Sequence, residues 1–289
     1  MVMILTLSPL ILYASLVFRR PPRTPLKQPL FEGVTYHRQV RNQPRPIMIH
    51  IVSVDLTNPG VEVMVSPGMA TSDAPNQTLA QTTSRFLQAA QVQIASNGSF
   101  FYPFREKTPW DYAPHVGDRA NVLGLAIASE ETYAEPRYPW HPVCFLKPQR
   151  AIISPHTACP VGTQFALSAG PRLLTQGQPT QRDPVSSEDK PYARLLLALD
   201  QAGTRLWLIA IDGKQPFYSE GMTLTEATEL LQDLGAYDAL NLDGGGSTTL
   251  VQSANGQPRF LNAPVHAKLP MWERPVANQI GIRAWPLAD

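Results

Sequence analysis

The chain has 289 residues, a formal net charge of +1, and 43% hydrophobic against 16% charged residues. This composition is typical of a globular protein with a substantial core, and it excludes a largely disordered chain. The near-neutral charge gives no indication of nucleic-acid binding, and the 29 prolines predict many loops and few long helices.

The first segment, from Val2 to Phe18, is apolar and is followed by Arg19, Arg20 and a proline-rich stretch. It has three interpretations: a secretory signal without the usual basic start, a membrane anchor at the lower length limit, or a core helix. The arginines and prolines are typical of a juxtamembrane linker. We therefore expect residues 2–18 to contact a membrane as an anchor or uncleaved signal. Residues 1–29 would then lie outside the fold and residues 30–289 would form the folded domain, exported to the periplasmic or extracellular face.

The first half of the domain begins with alternating apolar stretches, VTYHRQV, PIMIHIVSVDL and VEVMVSP, which predict a β-meander. A helical period follows near Leu79, with Thr78 and Gln81 at capping-box spacing. The strand VQIAS then leads into the loop NGSFF. From Phe101 to Pro160 the sequence predicts a long irregular loop, interrupted by the strand VLGLAIA.

The second half contains the clearest hairpin, RLLLALD and RLWLIAID, whose two apolar arms indicate central, buried strands. A helix near Leu224 follows, predicted from the capping box of Thr223 and Glu226 and from Gly235 at its end. We expect a single α+β domain with a mixed, largely antiparallel sheet and packed helices. The sheet would be built on the hairpin Leu195–Ile211 with Ala239–Leu242 and Val276–Ile282.

The two cysteines, Cys144 and Cys159, do not form a CxxC pair, so a structural zinc site is not indicated. Two states remain open. An exported domain would favour a disulfide between them, whereas reduced, partly buried thiols are the alternative.

The stretch LNLDGGGSTTLV places Asp243 before three glycines. Glycines allow close approach of the backbone to a ligand, and successive N–H groups bind anions. Asp243 is then a candidate general base, nucleophile or metal ligand; a tight hairpin turn is the alternative. Asn97 and Gly98 in NGSFF are also turn residues. Both loops leave strands that follow helices, so we expect them to emerge close together.

Several charged residues accompany these loops. Arg172 follows the small residues Ser168 and Gly170 and is a candidate anion ligand, although a solvated arginine is equally consistent with the pattern. Arg194 begins a strongly apolar strand, so its guanidinium should be paired or bind an anion. Asp212, Gly213, Lys214 and Glu220 precede the capped helix, whose N-terminus favours anions.

Taken in order, NGSFF, SAGPRLL, YARLLLALD, LIAIDGK, the stretch from SEGMT to GGGST, and ERPVANQIGI resemble the phosphodiester glycosidase family. That family includes the lysosomal uncovering enzyme and bacterial relatives linked to exopolysaccharide. The resemblance covers roughly Val52 to Ile282 and is densest from Ser168 onward. It departs from the family pattern at Leu195 and at Ser99, where the family usually has threonine and glycine.

The resemblance implies a catalytic domain that hydrolyses a sugar joined through its anomeric carbon to a phosphodiester. Asp243 is the first choice for the reacting carboxylate and Glu220 the second, with Arg194 stabilising charge. A divalent cation remains open, with Asp212 and Asp243 as possible ligands. The expected substrate- and phosphate-binding residues are Asn97, Gly98, Ser168, Gly170, Arg172, Asp212, Gly213, Gly244, Gly245, Gly246, Ser247 and Thr248.

Two other functions compete with hydrolysis at carbon. A non-catalytic, membrane-tethered protein could bind anionic polysaccharide through the aromatic residues Trp110, Tyr112, Tyr138 and Trp140. Metal-dependent cleavage at phosphorus would require clustered histidines and aspartates, whereas the six histidines are scattered along the sequence.

Overall fold

The computed structural model describes residues 11–69, 77–180 and 189–288 of the chain. Residues 2–10 of the predicted membrane segment therefore lie outside the described part. Residues 11–18 are helical and expose apolar side chains such as Ile11 and Phe18. Among the described residues, no helix combines the length and the apolar character that crossing a membrane requires.

An eight-stranded sheet forms the centre of the fold. Its strands, in spatial order, are β1 (Leu26–Phe31), β2 (Val34–Arg41), β3 (Ile47–Asp55), β19 (Arg205–Ile211), β18 (Arg194–Leu199), β20 (Asp238–Asn241), β16 (Arg172–Thr175) and β17 (Gln178–Pro179). The predicted hairpin is β18 and β19, and both arms lie in the interior of the sheet. The predicted neighbour, β20, pairs with β18.

The folded part begins before residue 30, where the sequence places the boundary. Strand β1 pairs with β2 from Leu26 onward, and Pro29 lies opposite Thr35. The proline is tolerated because β1 is the edge strand of the sheet, where one side of the backbone needs no hydrogen-bond partner.

Two five-stranded sheets pack against the central one. The first consists of β22 (Gln257–Phe260), β21 (Leu250–Ala254), β6 (Ile94–Asn97), β25 (Gln279–Arg283) and β4 (Glu62–Val65). The second consists of β12 (Glu131–Ala134), β11 (Ala126–Ala128), β15 (Thr163–Ser168), β13 (Pro142–Leu146) and β14 (Arg150–Ile153). The last strand, predicted over Val276–Ile282 beside the hairpin, is β25. It lies in the first of these sheets instead, so its predicted placement was wrong.

The proline- and aromatic-rich region from Phe101 to Pro160 is more regular than the predicted loop. Besides strands of the second sheet, it contributes four short strands to two smaller sheets. The remaining short strands are β5 (Gln77–Leu79), β7 (Phe101–Tyr102), β8 (Arg105–Thr108), β9 (Asp111–Ala113), β10 (Arg119–Val122), β23 (Val265–His266) and β24 (Leu269–Pro270). A disulfide joins Cys144 of β13 to Cys159, 15 residues later, so the oxidised alternative is the observed one.

Alternate residues of the hairpin enter two cores, one on each face of the central sheet. Leu195 and Leu197 point to the core shared with the two five-stranded sheets, where they join Ile280 and Leu167. Leu196 faces the opposite core. Burial on both faces explains why the hairpin reads as continuously apolar rather than alternating.

Two short helices pack on this framework, α1 (Thr83–Ala90) and α2 (Leu224–Asp233), and a single 3₁₀ turn spans Gly245–Ser247. Helix α2 has the predicted capping box. It ends in a Schellman motif, in which Gly235 takes a φ of 75° and donates to Gln232 O while Ala236 donates to Leu231 O.

Helix α1 begins later than predicted. Its N-cap is Thr82, whose side chain accepts from Arg85 N, whereas Thr78 belongs to strand β5. The strand pairing of Gln77–Leu79 with β10 competes with the local capping signal and prevails.

The fold class is therefore only partly as predicted. The domain is built mainly from β-strands, and every described strand pair is antiparallel rather than mixed. The two helices number 8 and 10 residues, so they cover only small parts of the sheets. An α+β description with packed helices overstates them.

Candidate active site

A cavity of about 420 Å³ opens where the central sheet meets the first five-stranded sheet. Its walls combine aromatic rings with cationic, acidic and amide side chains. The lining residues are Phe100, Phe101, Phe104, Glu106, Tyr192, Arg194, Lys214, Asn241, Asp243, Gly244 and Arg274. Its size is within the range of small-molecule sites.

The two loops predicted to emerge together do meet at this cavity. Asn97, at the end of β6, donates through Nδ2 to Asp243 O at 2.7 Å and accepts from Thr249 N at 3.0 Å. Asp243 N in turn donates to Gly98 O at 3.1 Å. The loops belong to different sheets, so the site lies at the seam between two sheets. Asn97 is itself buried, and its side-chain hydrogen bonds hold the Asp243 loop in place.

Asp243 is a carboxylate of the cavity whose pKa is strongly raised. Burial raises its pKa to about 7, although hydrogen bonds from the Ser247 side chain and the Gly244 backbone, together with the charge of Lys214, oppose the rise. A group with a pKa near neutrality exchanges protons readily at physiological pH. Asp243 therefore has the properties of a general acid or base.

The glycine triplet is explained mainly by close packing. A Cβ on Gly245 would lie 2.7 Å from the Tyr192 ring, and one on Gly246 would lie 2.2 Å from the guanidinium of Arg274. Gly245 also has a φ of 63° and donates its N–H to Ala193 O at 2.8 Å. Only Gly244 of the three lines the cavity. The triplet thus admits two large side chains beside Asp243, and anion binding by its N–H groups stays a prediction.

Two cations flank the ring of Tyr192 at the cavity. The Lys214 ammonium lies 4.4 Å and the Arg194 guanidinium 5.6 Å from the ring centroid. Arg194 also donates to Met222 O and Lys190 O, each at 3.2 Å. These contacts keep Arg194 at the start of β18, so the prediction that it belongs to the site is consistent with the structure. Cation–π contacts of this kind orient side chains that would otherwise be mobile.

The opposite wall is an ion pair between Arg274 and Glu106. Arg274 also donates to Ser247 Oγ at 3.0 Å, and its guanidinium lies 4.4 Å from the centroid of the Phe104 ring. Burial lowers the pKa of Arg274 to about 10, which leaves it charged at neutral pH. Since Ser247 also bonds Asp243, the ion pair is connected to the Asp243 carboxylate through one hydroxyl.

Asn241 lines the cavity two residues before Asp243 and is only 4% exposed. Its Nδ2 donates to Gly170 O at 3.3 Å and to Leu242 O at 3.1 Å. Both partners are carbonyl oxygens, which can only accept hydrogen bonds. The side-chain atom that faces them must therefore be the amide nitrogen, which donates. Its Oδ1 has no hydrogen-bond partner among the described residues, so it is an acceptor available to a ligand hydroxyl or N–H.

Two residues predicted at the site lie elsewhere. Glu220 is exposed and does not line the cavity. Gly221 has a φ of 96° and packs against Tyr192 O, which explains the glycine in SEGMT without a catalytic glutamate. Arg172 is held on β16 by an ion pair with Asp238 at 2.6 Å and has no contact with the cavity. Neither residue lines the cavity, and their assignment to the site stays a prediction.

Asp212 is buried in a structural network. Its Oδ2 accepts from His50 Nε2 at 2.9 Å, and its Oδ1 accepts from Asn262 Nδ2 at 3.1 Å and from Ala263 N at 2.8 Å. It does not share the cavity with Asp243, and the described residues contain no group of three or more His, Cys, Asp or Glu side chains placed to hold a metal. Asp212 and Asp243 therefore do not form a common metal site in this structure.

The remaining predicted residues do not line the cavity and pack in the layer around it. A Cβ on Gly98 would lie 2.6 Å from Asn278 Oδ1, one on Gly170 2.6 Å from the Trp140 ring, and one on Gly213 2.3 Å from Ala193 N. Ser168 and Thr248 are buried and do not line the cavity. The three glycines are therefore required by close packing, and a ligand contact at these five positions stays a prediction.

Of the four aromatic residues considered for polysaccharide binding, Tyr112 and Trp140 are half-buried and Trp110 and Tyr138 are exposed. Tyr138 stacks on Trp140 at 4.8 Å, and Tyr112 contacts His266 at 4.6 Å. Trp110 is the more exposed of the two exposed residues, at 87% against 49% for Tyr138.

Sequence reasoning missed Glu106, Tyr192, Asn241 and Arg274 as parts of the site and listed Lys214 without a role. Glu106 stands in the region interpreted as an irregular loop, and Arg274 in a stretch quoted only for its resemblance. Charge was the available signal for Glu106 and Arg274, whereas the uncharged Tyr192 and Asn241 offered none.

Comparisons with known proteins agree with this description. The family model described as phosphodiester glycosidase matches residues 90–283, whereas no curated protein matches the chain. The catalytic domain of zebrafish N-acetylglucosamine-1-phosphodiester alpha-N-acetylglucosaminidase, auto-inhibited by its pro-peptide, is 19% identical, with a TM-score of 0.58 over 91% of this chain and 89% of that one.

Two further solved structures share the fold. A hypothetical protein from Synechocystis is 18% identical, with a TM-score of 0.54, and the match covers 91% of this chain but 64% of that protein. A putative exported protein from Burkholderia pseudomallei is 14% identical, with a TM-score of 0.54 over 86% of this chain and 76% of that one. The family match extends over more than half of the chain, and the chain therefore belongs to the phosphodiester glycosidase family.

Proposed function

We propose that this phosphodiester glycosidase hydrolyses a sugar-1-phosphodiester at the bond between the anomeric carbon and the phosphate oxygen, in a glycan or glycoconjugate. The observation that carries the proposal is Asp243. Its pKa is raised to about 7, and it lines the same cavity as two cations, Arg194 and Lys214. A carboxylate that accepts protons near neutrality, beside groups that bind phosphate, suits this reaction.

Asp243 acts as the general base in this proposal. Water attacks the anomeric carbon, one water proton passes to Asp243, and the bond from that carbon to the phosphate oxygen breaks with its electron pair remaining on oxygen. The products are a free sugar and a phosphomonoester. Ser247 and Gly244 hold the carboxylate in position through their hydrogen bonds to it.

The leaving group needs charge stabilisation more than a proton, because a phosphomonoester is a weak base. Arg194 and Lys214, ordered around Tyr192, supply positive charge for its oxygens. Asn241 Oδ1, which has no partner among the described residues, accepts a hydrogen bond from the sugar. Glu106 is neutralised by Arg274, so that wall of the cavity does not repel the anionic substrate.

We further propose that the domain works on the outer side of a membrane, anchored through residues 2–18, on exopolysaccharide-type glycans. The Cys144–Cys159 disulfide supports export, because disulfides persist mainly in oxidising compartments. Protease treatment of intact cells tests this: degradation of the domain without lysis is expected, and protection until lysis would contradict export.

Replacing Asp243 by Asn tests the catalytic role. Hydrolysis of a sugar-1-phosphate methyl diester should fall by about 10²- to 10⁴-fold, the usual contribution of a general base. Asp233→Asn is the matched control, since Asp233 is exposed at the end of α2, and it should retain full activity. Full activity of the Asp243→Asn protein would refute the assignment.

A further inference from the structure

A second cavity, of about 430 Å³, lies between the N-terminal linker and the edge of the fold and shares no lining residue with the active-site cavity. We call it the arginine pocket, because it contains four arginines and no acidic side chain. The lining residues are Arg19, Arg20, Pro21, Pro22, Leu26, Gln28, Tyr36, Arg38, Gln252, Pro258, Arg259, Phe260, Leu261 and Met271.

The four arginines come from three parts of the chain. Arg19 and Arg20 precede the linker, Arg38 lies on β2, and Arg259 lies on β22. Within the described residues, none of them is within ion-pair distance of a carboxylate. Bringing like charges together in a partly buried place is unfavourable unless an anion compensates them.

Two of the arginines are buried enough for this cost to matter. Arg38 is 8% exposed, and its guanidinium is held in place by Thr24 O at 2.7 Å and Thr24 Oγ1 at 3.1 Å. Arg20 lies over the ring of Tyr218 at 5.0 Å, and its Nε is buried without a hydrogen-bond partner among the described residues. A buried, unpartnered guanidinium N–H indicates a missing acceptor.

The rest of the lining shows what else the ligand carries. Leu26, Phe260, Leu261 and Met271 form an apolar wall, and the volume of the pocket exceeds that of an inorganic phosphate. Guanidinium groups bind phosphate oxygens in bidentate geometry, and four of them match a doubly charged group better than a single carboxylate.

We propose that the arginine pocket binds the phosphate group of a second ligand, distinct from the substrate at Asp243, whose apolar or sugar portion rests on the Leu26–Met271 wall. Two sources provide this chemistry, a soluble phosphorylated sugar and the headgroup of an anionic lipid. The pocket is independent of the proposed hydrolysis, so its occupancy does not require the active site to function.

Binding of inorganic pyrophosphate to the 289-residue chain tests the proposal. The variant Arg20→Gln/Arg259→Gln should bind it at least about tenfold more weakly than the wild type, because two charge-assisted hydrogen bonds are lost. The charge-matched control, Arg119→Gln/Arg205→Gln, removes two exposed arginines outside the pocket and should bind like the wild type. Arg259→Gln alone, at an exposed position, should show a smaller loss if the double variant proves unstable.

Hydrogen exchange localises the ligand. Pyrophosphate should protect peptides covering residues 19–30 and 257–262, and the Arg20→Gln/Arg259→Gln protein should keep its rate of sugar-1-phosphodiester hydrolysis within about twofold. Equal pyrophosphate affinity of the two double variants, or protection confined to residues 192–194 and 241–247, would overturn the proposal.

Two further assays identify the source of the phosphate. Phosphatidylcholine vesicles containing phosphatidic acid, whose phosphomonoester can carry two charges, test the lipid headgroup, and glucose 1-phosphate tests the soluble ligand. Loss of vesicle binding in the Arg20→Gln/Arg259→Gln protein supports the headgroup, and loss of glucose 1-phosphate binding supports the sugar phosphate. Binding of neither probe by the wild type would contradict the proposal.

Discussion

Replacing Lys214 by Gln should shift the pH dependence of hydrolysis to higher pH. If Asp243 is the general base, kcat/KM should rise with pH and level off above its pKa of about 7. Burial raises that pKa, and the charge of Lys214 is among the effects that lower it. Removing the charge leaves more of the carboxylate protonated at any pH below the plateau, so activity there must fall.

The size of the effect follows from the pKa of Asp243 and from the exposure of Lys214. The wild-type kcat/KM should drop about tenfold for each pH unit below 7, giving about a hundredfold loss at pH 5. Lys214 is exposed, so water screens its charge and its influence on Asp243 is modest. We expect the ratio of kcat/KM at pH 6 to that at pH 9 to fall about threefold further in the variant.

Steady-state kinetics between pH 5 and pH 9 measure this ratio directly. Lys268→Gln is the matched control, because Lys268 is also an exposed lysine with positive φ, 66° against 60° for Lys214, but it does not line the cavity. A variant profile displaced to lower pH, or an equal displacement in the control, would refute the electrostatic coupling of Lys214 to Asp243.

Three further predictions concern the site and its support. Asn241→Ala should lower kcat/KM about fivefold to tenfold by removing one neutral hydrogen bond to the sugar. For a substrate that lacks the partner hydroxyl, the same substitution should lower kcat/KM no further. A further loss with that substrate would show that another residue accepts the hydrogen bond. Thr223→Ala should cost about 1 kcal/mol of unfolding free energy through loss of the α2 cap with kcat unchanged, and an unaltered denaturation midpoint would contradict the cap's contribution. The Cys144→Ala/Cys159→Ala protein should be less stable by about 3 kcal/mol, given the 15-residue separation, and equal denaturation midpoints would exclude that contribution.

Local signals predicted the parts of the fold that local forces determine. The capping box at Thr223, the Schellman glycine at Gly235 and the apolar β18–β19 hairpin all appear as expected. The sheet to which β25 belongs was not predictable in this way. Its alternating pattern fits either sheet, and its partners β6 and β4 are distant in sequence. At Thr78 a local signal gave a wrong prediction. The capping-box spacing predicted a helix start there, but the residue pairs with strand β10 instead.

Sequence reasoning found the cavity residues that lie close together in one stretch. It missed the residues that come together only when distant stretches fold against each other. Asp243 and its glycines stand together in sequence, whereas Glu106 and Arg274 are 168 positions apart and meet only in the folded protein. Arg172 shows why charge alone misleads: its partner, Asp238, lies on the neighbouring strand β20 and neutralises it, and Arg172 does not line the cavity.

The most direct measurement of cleavage at the anomeric carbon is hydrolysis of a sugar-1-phosphodiester in ¹⁸O-labelled water, followed by mass spectrometry of both products. Attack by water at carbon, with Asp243 as the base, predicts that the label enters the sugar and that the phosphomonoester stays unlabelled. Label in the phosphomonoester would show attack at phosphorus and would contradict the proposed reaction.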